Sequence, residues 1–259
     1  MMMINSLLGG FDVYVIRARV YPGLLALVLP VGVMGVALIQ LRPALAWVPM
    51  AASMGTLFFL SSFTRSLGRR LEPKLVRQWD GLPTTRMLRH RETHNALVFE
   101  ERRKALEKLT GVALPTKRQE SNSPTKADDA YIAAVRKLIN RVRDSTTEFP
   151  RVFEENIHYG FARNLLALKA IALIVLAFSS MGISILVWRG GATPEAIAAL
   201  SFYALAAVLW TFFIRPAWVH QVGQTYADRL FDALDVIDAQ PPATLPGQRE
   251  SANDSVGPN

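Results

Sequence analysis

LLALKAIALIVLAFSSMGISILVW, from Leu165 to Trp188, is the stretch that decides the fold. A bilayer core about 30 Å thick needs about 20 mostly apolar helical residues, and this run carries one charge, Lys169, near its start. A soluble helix keeps a polar face; this one does not. Three more runs resemble it. Leu24 to Leu41 and Ala44 to Phe63 are free of charge and separated only by Arg42 and Pro43, which predicts a tight helical hairpin. Ala196 to Ile214 is also charge-free and follows Arg189, Gly190, Gly191 and Pro194, which predicts a second. A large helical core in a soluble protein would have to explain four such runs at once. The expectation is an all-α integral membrane protein with four transmembrane helices, in hairpins over residues 24–63 and 165–214, and a helical cytoplasmic domain between helices 2 and 3.

Composition agrees. The chain has 259 residues, 51% apolar and 19% charged, against about 25% charged in soluble domains, yet its net charge is +8. With no Cys, disulfides, thiolate metal sites and cysteine nucleophiles are excluded. Residues 1–23 lack the basic n-region of a secretory signal and are interrupted by Asp12, Arg17 and Arg19, so they read as an interfacial lead-in.

Orientation follows from Lys and Arg near the span ends. Arg17 and Arg19 precede the first span, the two hairpin turns hold only Arg42 and Arg189, and Arg215 and Arg229 follow the fourth. Residues 64–164 hold 21 Lys plus Arg against 13 Asp plus Glu, a balance of +8, whereas residues 215–259 hold 3 against 6, or −3. Both termini and the central domain are expected in the cytoplasm.

That basic domain, residues 64–164, reads as helical. Leu67, Leu71 and Leu75 continue the second span outward to Gln78, and Trp79-Asp80-Gly81-Leu82-Pro83 ends it. Thr84 or Thr85 as a cap predicts a long helix from about Arg86 to Leu109, with Gly111 as the left-handed residue past its end. Pro115 to Thr125 reads as a flexible loop, Ala127 to Arg143 as a helix with acidic start and basic end, and Val152 to Asn164 as a helix running into the third span. An amphipathic helix is expected over residues 215–239, and residues 240–259 as a disordered tail.

Catalytic signatures are weak. His90 and His94 stand four residues apart, but the sequence between them lacks the order of a zinc hydrolase and no third ligand is recognisable. Glu154, Glu155 and His158 invite an acid–base reading but suit an ordinary membrane-proximal helix. No enzyme activity, cofactor or metal is expected. Two features remain. Small and hydroxylated residues within the spans either pack helices or line an aqueous path; the candidates for lining are Ser53, Lys169, Ser180, Ser184, Ser201 and Thr211. Cations far from any span, Arg86, Arg89, Arg91, Arg102, Arg103, Lys117 and Arg118, are candidates for binding a phosphate-rich ligand, with acidic protein partners or plain solvation as the alternatives.

Two hairpins around a helical insert, with the segments Gly81-Leu82-Pro83-Thr84-Thr85-Arg86-Met87-Leu88 and Phe153-Glu154-Glu155-Asn156-Ile157-His158-Tyr159-Gly160-Phe161, resemble the small four-span membrane proteins of bacterial defence loci, among them the channel-forming effectors of the Hailong anti-phage system. The resemblance covers the chain up to about Ala239 and maps no functional residue onto it. It implies an oligomeric ion channel in the bacterial inner membrane, gated by an oligonucleotide or nucleotide second messenger that a partner nucleotidyltransferase supplies. The residues themselves leave a second reading open: a non-conducting membrane anchor that recruits a cytoplasmic partner through the central domain or the tail helix.

Overall fold

The structure is a computed structural model that describes residues 13–41, 53–93, 95–143 and 145–239, and of residues 36–41 and 53–58 the backbone only. The described residues form helices and turns, with no strand among them. Helix α1 covers residues 13–41, α2 Ser53–Gln78, α3 Pro83–Arg86, α4 Ala96–Thr110, α5 Lys117–Asn122, α6 Pro124–Arg143, α7 Pro150–Gly190, α8 Pro194–Phe212 and α9 Pro216–Asp238. Among the described residues three helical stretches are long and apolar enough to cross a membrane: Val13–Gly35, Pro150–Gly190 and Pro194–Phe212. Of the second expected span, Ala44 to Phe63, residues 44–52 lie outside the described ones and the remainder forms the start of α2. The tail from residue 240 also lies outside them.

Two compact units divide the chain. The first comprises Met1–Arg86 with Pro150–Ala227, the second Met87–Phe149 with Asp228–Asn259.

The first unit is built on α7. Its buried residues Ile157, Gly160, Asn164, Leu168, Ala172, Leu176, Ser179 and Ile183 recur every three or four positions, the spacing that keeps one helix face inward. Tyr203 and Trp210 of α8 and Ala26 of α1 pack into the same cluster. The opposite faces of α7 and α8 expose Ile174, Phe178, Leu205, Val208 and Phe212. Large contiguous apolar surface of this kind is rare on a soluble monomer and is what lipid tails cover.

Helix α1 takes π-helical turns at Ile16–Val20 and Leu24–Val28. Each lies just before Pro22 or Pro30, whose ring would collide with the carbonyl four residues back in an α-helix; a π-turn widens the ladder there. Residues 13–23 are thus the first part of the same helical run, with Ala18 and Val20 buried. It reads in sequence as a separate interfacial lead-in because Arg17 and Arg19 interrupt its apolar pattern.

In the second unit α6 presents Ala127, Tyr131, Ala134, Val135, Leu138 and Val142 inward, beside Leu88, Phe99 and Leu106. The helix expected from Arg86 to Leu109 is broken. Arg89 and Thr93 are extended, His90–Glu92 make a single 3-10 turn, and α4 starts only after Asn95, whose side chain accepts from the Leu97 and Val98 amides. Gly111 closes α4 at φ 64° as expected. Thr84 and Thr85 are buried within α3 and cap nothing downstream. The expected loop at Pro115–Thr125 contains α5, started by a reciprocal capping box between Thr116 and Gln119.

Candidate functional site

Asn164 stands at the meeting of α1, α2 and α7. It is 1% exposed, and its Nδ2 donates to the Ala18 carbonyl at 2.6 Å. Pro22 lacks the N–H which that carbonyl would take in an α-helix, so the amide supplies the missing donor. On its other side Asn164 Oδ1 lies against Gly68 of α2, where a Cβ would overlap it. Oδ1 has no N–H or O–H partner among the described residues and rests on the glycine Cα–H, a weak contact. One turn before Gly68, Thr64 is fully buried with its hydroxyl also unpartnered among the described residues. Arg163 reaches Glu72 of α2 at 3.0 Å, and Arg17 of α1 reaches Glu154 at 2.8 Å.

Of the lining candidates, Lys169 is tied down. Its Nζ donates to the Thr211 and Ile214 carbonyls at 2.9 and 2.8 Å, closing the C-terminal end of α8, where carbonyls otherwise lack donors. Ser184 donates to the Ser180 carbonyl at 2.9 Å, a bond back into its own helix. Ser201 and Thr211 are exposed on α8 and Ser180 is half-buried. Ser53 opens α2, and its side chain lies outside the described ones.

The ligand candidates divide sharply. Arg89 is 2% exposed, grips Asp128 through Nε and Nη2 at 2.9 and 2.6 Å, and bonds Glu92 at 2.9 Å. Arg103 is buried, donates to the Leu88 and Pro115 carbonyls at 2.9 and 2.6 Å, and lies over the Phe99 and Tyr131 rings. Both guanidiniums are turned into the unit and hold its broken segment in place, which corrects their reading as ligand contacts. Arg102 lies 4.6 Å over Phe231 and 3.9 Å from Asp228; burial draws its pKa down, and Asp228, Asp232 and Asp235 oppose that. Arg86 Nη1 lies 3.4 Å from His220 Nε2. Burial, aided by Arg86, lowers the His220 pKa, so that ring is neutral at pH 7. The Arg91 backbone amide binds Glu120. Lys117 and Arg118 are exposed on α5.

Glu120 was not singled out from the sequence. It is 4% exposed and accepts from the His90 and Arg91 amides at 2.8 and 3.3 Å and from the Tyr131 hydroxyl at 2.7 Å. His90 itself turns to the Pro115 carbonyl, 3.2 Å away, and His94 lies outside the described residues. Among the described residues no group of three His, Asp or Glu could hold a metal ion. A cavity of about 710 Å³ between α1 and α8 is lined by Val28, Leu29, Val33, Ala198 and Phe202, with Glu195 its one charged lining residue.

The chain matches no family model, no curated protein and no solved structure.

Proposed function

We propose that the protein is the subunit of an oligomeric ion channel of the bacterial inner membrane. In this reading it crosses the bilayer four times with both termini in the cytoplasm, and a phosphate-rich ligand, an oligonucleotide or nucleotide messenger, gates it in anti-phage defence. The observation that carries the reading is the outward position of Ser201 and Thr211 on α8, among the lipid-suited side chains Leu205, Val208 and Phe212. A hydroxyl facing hydrocarbon can bond only back into its own helix, whereas a lumen between copies would hydrate it. A path shared between copies also fits the exposure of these side chains on α8. Within the second unit the ligand would meet Arg91, Arg102, Lys117 and Arg118, with Arg89 and Arg103 holding the Leu88–Pro115 stretch in place. The resemblance to Hailong effectors, with their nucleotidyltransferase partners, points the same way.

A second reading, a non-conducting anchor that recruits a cytoplasmic partner, is favoured by the internal bonds of Ser184 and Lys169, which leave fewer polar groups for a lumen. Conductance of the purified full-length protein in planar bilayers separates the two: discrete current steps support the channel, and their absence at all ligand concentrations leaves the anchor. Binding of a short oligonucleotide should weaken steeply between about 50 and 200 mM salt through counterion release. The chain has no Cys, so topology can be read from single cysteines. Ser121→Cys in the central region should react with impermeant maleimide only after the cells are opened, and Ala192→Cys between α7 and α8 in intact spheroplasts.

A further inference from the structure

We infer that the outward face of α2 at Arg65, Arg69 and Arg70 is a binding site for the headgroup of an anionic phospholipid. The contact between Gly68 and Asn164 fixes the level. On α7 the apolar run begins at the next residue, Leu165. An α-helix rises about 1.5 Å per residue, so these arginines stand within about 4.5 Å of that level along the α2 axis. The headgroup layer on each side of a bilayer core is about 5–7 Å deep.

Other cations near this level are engaged: Arg17 with Glu154, Arg163 with Glu72, and Lys169 with the α8 carbonyls. Arg65, Arg69 and Arg70 are exposed, and the protein's described hydrogen bonds and ion pairs give them no side-chain partner among the described residues. Helix α2 has one carboxylate, Glu72, and Arg163 takes it. At 100° per residue, Arg65 and Arg69 form one edge of the exposed face and Arg70 with Lys74 the other, with Ser62, Ser66 and Pro73 between. Small side chains flanked by guanidiniums leave room for a phosphate that two sides can grip, and Arg forks suit phosphate.

Phe59 decides between lipid and soluble phosphate. It is 68% exposed, lies on the same face and stacks on Phe63 at 5.9 Å between centroids. An acyl chain below a bound headgroup would cover that ring; a free nucleotide would gain nothing from it. The inference does not depend on whether the protein conducts ions.

The test is native mass spectrometry of the full-length protein in detergent with equimolar phosphatidylglycerol and phosphatidylcholine. The wild type should retain phosphatidylglycerol in preference. Each cation near an anionic surface contributes about fivefold, equivalent to ~1 kcal/mol, so the triple variant R65Q/R69Q/R70Q should lower the preference at least tenfold. The matched variant R136Q/R141Q/R143Q, from the exposed side of α6, should leave it unchanged. F59A should weaken retention of the lipid and leave binding of inorganic pyrophosphate unaltered. An unchanged preference in the triple variant overturns the inference, as does loss of oligonucleotide binding there with lipid retention intact. Should the triple variant not fold, R65Q and R69Q singly should each lower the preference, and an unchanged preference in both overturns it equally.

Discussion

Asn164 donates its side-chain amide to the Ala18 carbonyl at 2.6 Å, the carbonyl that Pro22 leaves without its α-helical donor, while its oxygen lies on Gly68. One side chain thereby ties α7 to both α1 and α2. Gly68→Ala should be disruptive, because the added methyl overlaps Asn164 Oδ1 inside a packed junction; overpacking of this kind costs about 1–3 kcal/mol. Asn164→Ala should also destabilise, by about 1–3 kcal/mol, through the orphaned carbonyl. The pair G68A/N164A should lose less than the sum, since the second change removes the atom that the first strikes. Thermal unfolding of the four proteins in one detergent gives the coupling energy. Simple additivity would mean that the two residues do not share this contact.

Lys169 gives a second test, one that separates structure from permeation. If its role is to close the end of α8, Lys169→Met should lower the melting temperature, because two carbonyls lose a charged donor worth about 1.5–3 kcal/mol. For a chain of this size that is roughly 3–10 °C. A lysine at a pore mouth would behave otherwise, altering anion against cation permeability with no change in melting.

Periodicity made the apolar helices legible, since one charge in Leu165–Trp188 leaves few alternatives. It also showed the inward face of α7, and the spacing that buries Leu168, Ala172 and Leu176 reaches back to Asn164, so a polar residue within an apolar stripe was the available signal for the junction. Pro22 was its counterpart on α1, visible as a residue but not as a donor missing from one particular carbonyl. The break between Arg86 and Ala96 was concealed because the run from Arg86 to Thr110 holds no Pro or Gly and Leu88 and Leu106, 18 residues apart, share one face of a continuous helix at 100° per residue. What decides against it is Asn95 as a cap and Arg89 drawn onto Asp128, 39 residues away, a long-range pairing that local propensity does not encode. The Thr116–Gln119 capping box could have been read directly, but the surrounding Ser and Pro residues suggested a loop.

The Arg89–Asp128 pair also shows why a count of cations overstates a binding surface. Arg89→Met should destabilise the second unit by about 3–5 kcal/mol, the usual effect of leaving a carboxylate without its buried partner, and increase proteolysis between residues 87 and 149. Lys117→Gln with Arg118→Gln, on exposed α5, should leave the protease pattern as in the wild type. Limited proteolysis at matched protein concentration reads both. Intact resistance in R89M would return Arg89 to the ligand candidates.

Stability should fall at both ends of the pH range through one hydrogen-bonded pair. Burial raises the Glu120 pKa, but the His90 amide, Tyr131 hydroxyl and Arg91 amide outweigh it, and the group ends below its ordinary 4.5. A lowered carboxyl pKa contributes stability that is complete above about 4.5 and lost as pH falls through the folded value. Burial and the bond to Glu120 push Tyr131 from 10.0 up to about 12. Its contribution is complete below about 10 and lost as pH rises through about 12. The second unit should therefore unfold with an acid limb beginning below pH 4.5 and an alkaline limb between about 10 and 12. Glu120→Gln should flatten the acid limb and Tyr131→Phe the alkaline one, each at some cost to stability at pH 7, because both remove a partner from a buried group. Backbone hydrogen exchange at His90 and Arg91 across the pH series tests this locally. Acid limbs of equal depth in the wild type and E120Q would show that another carboxylate sets the acid transition.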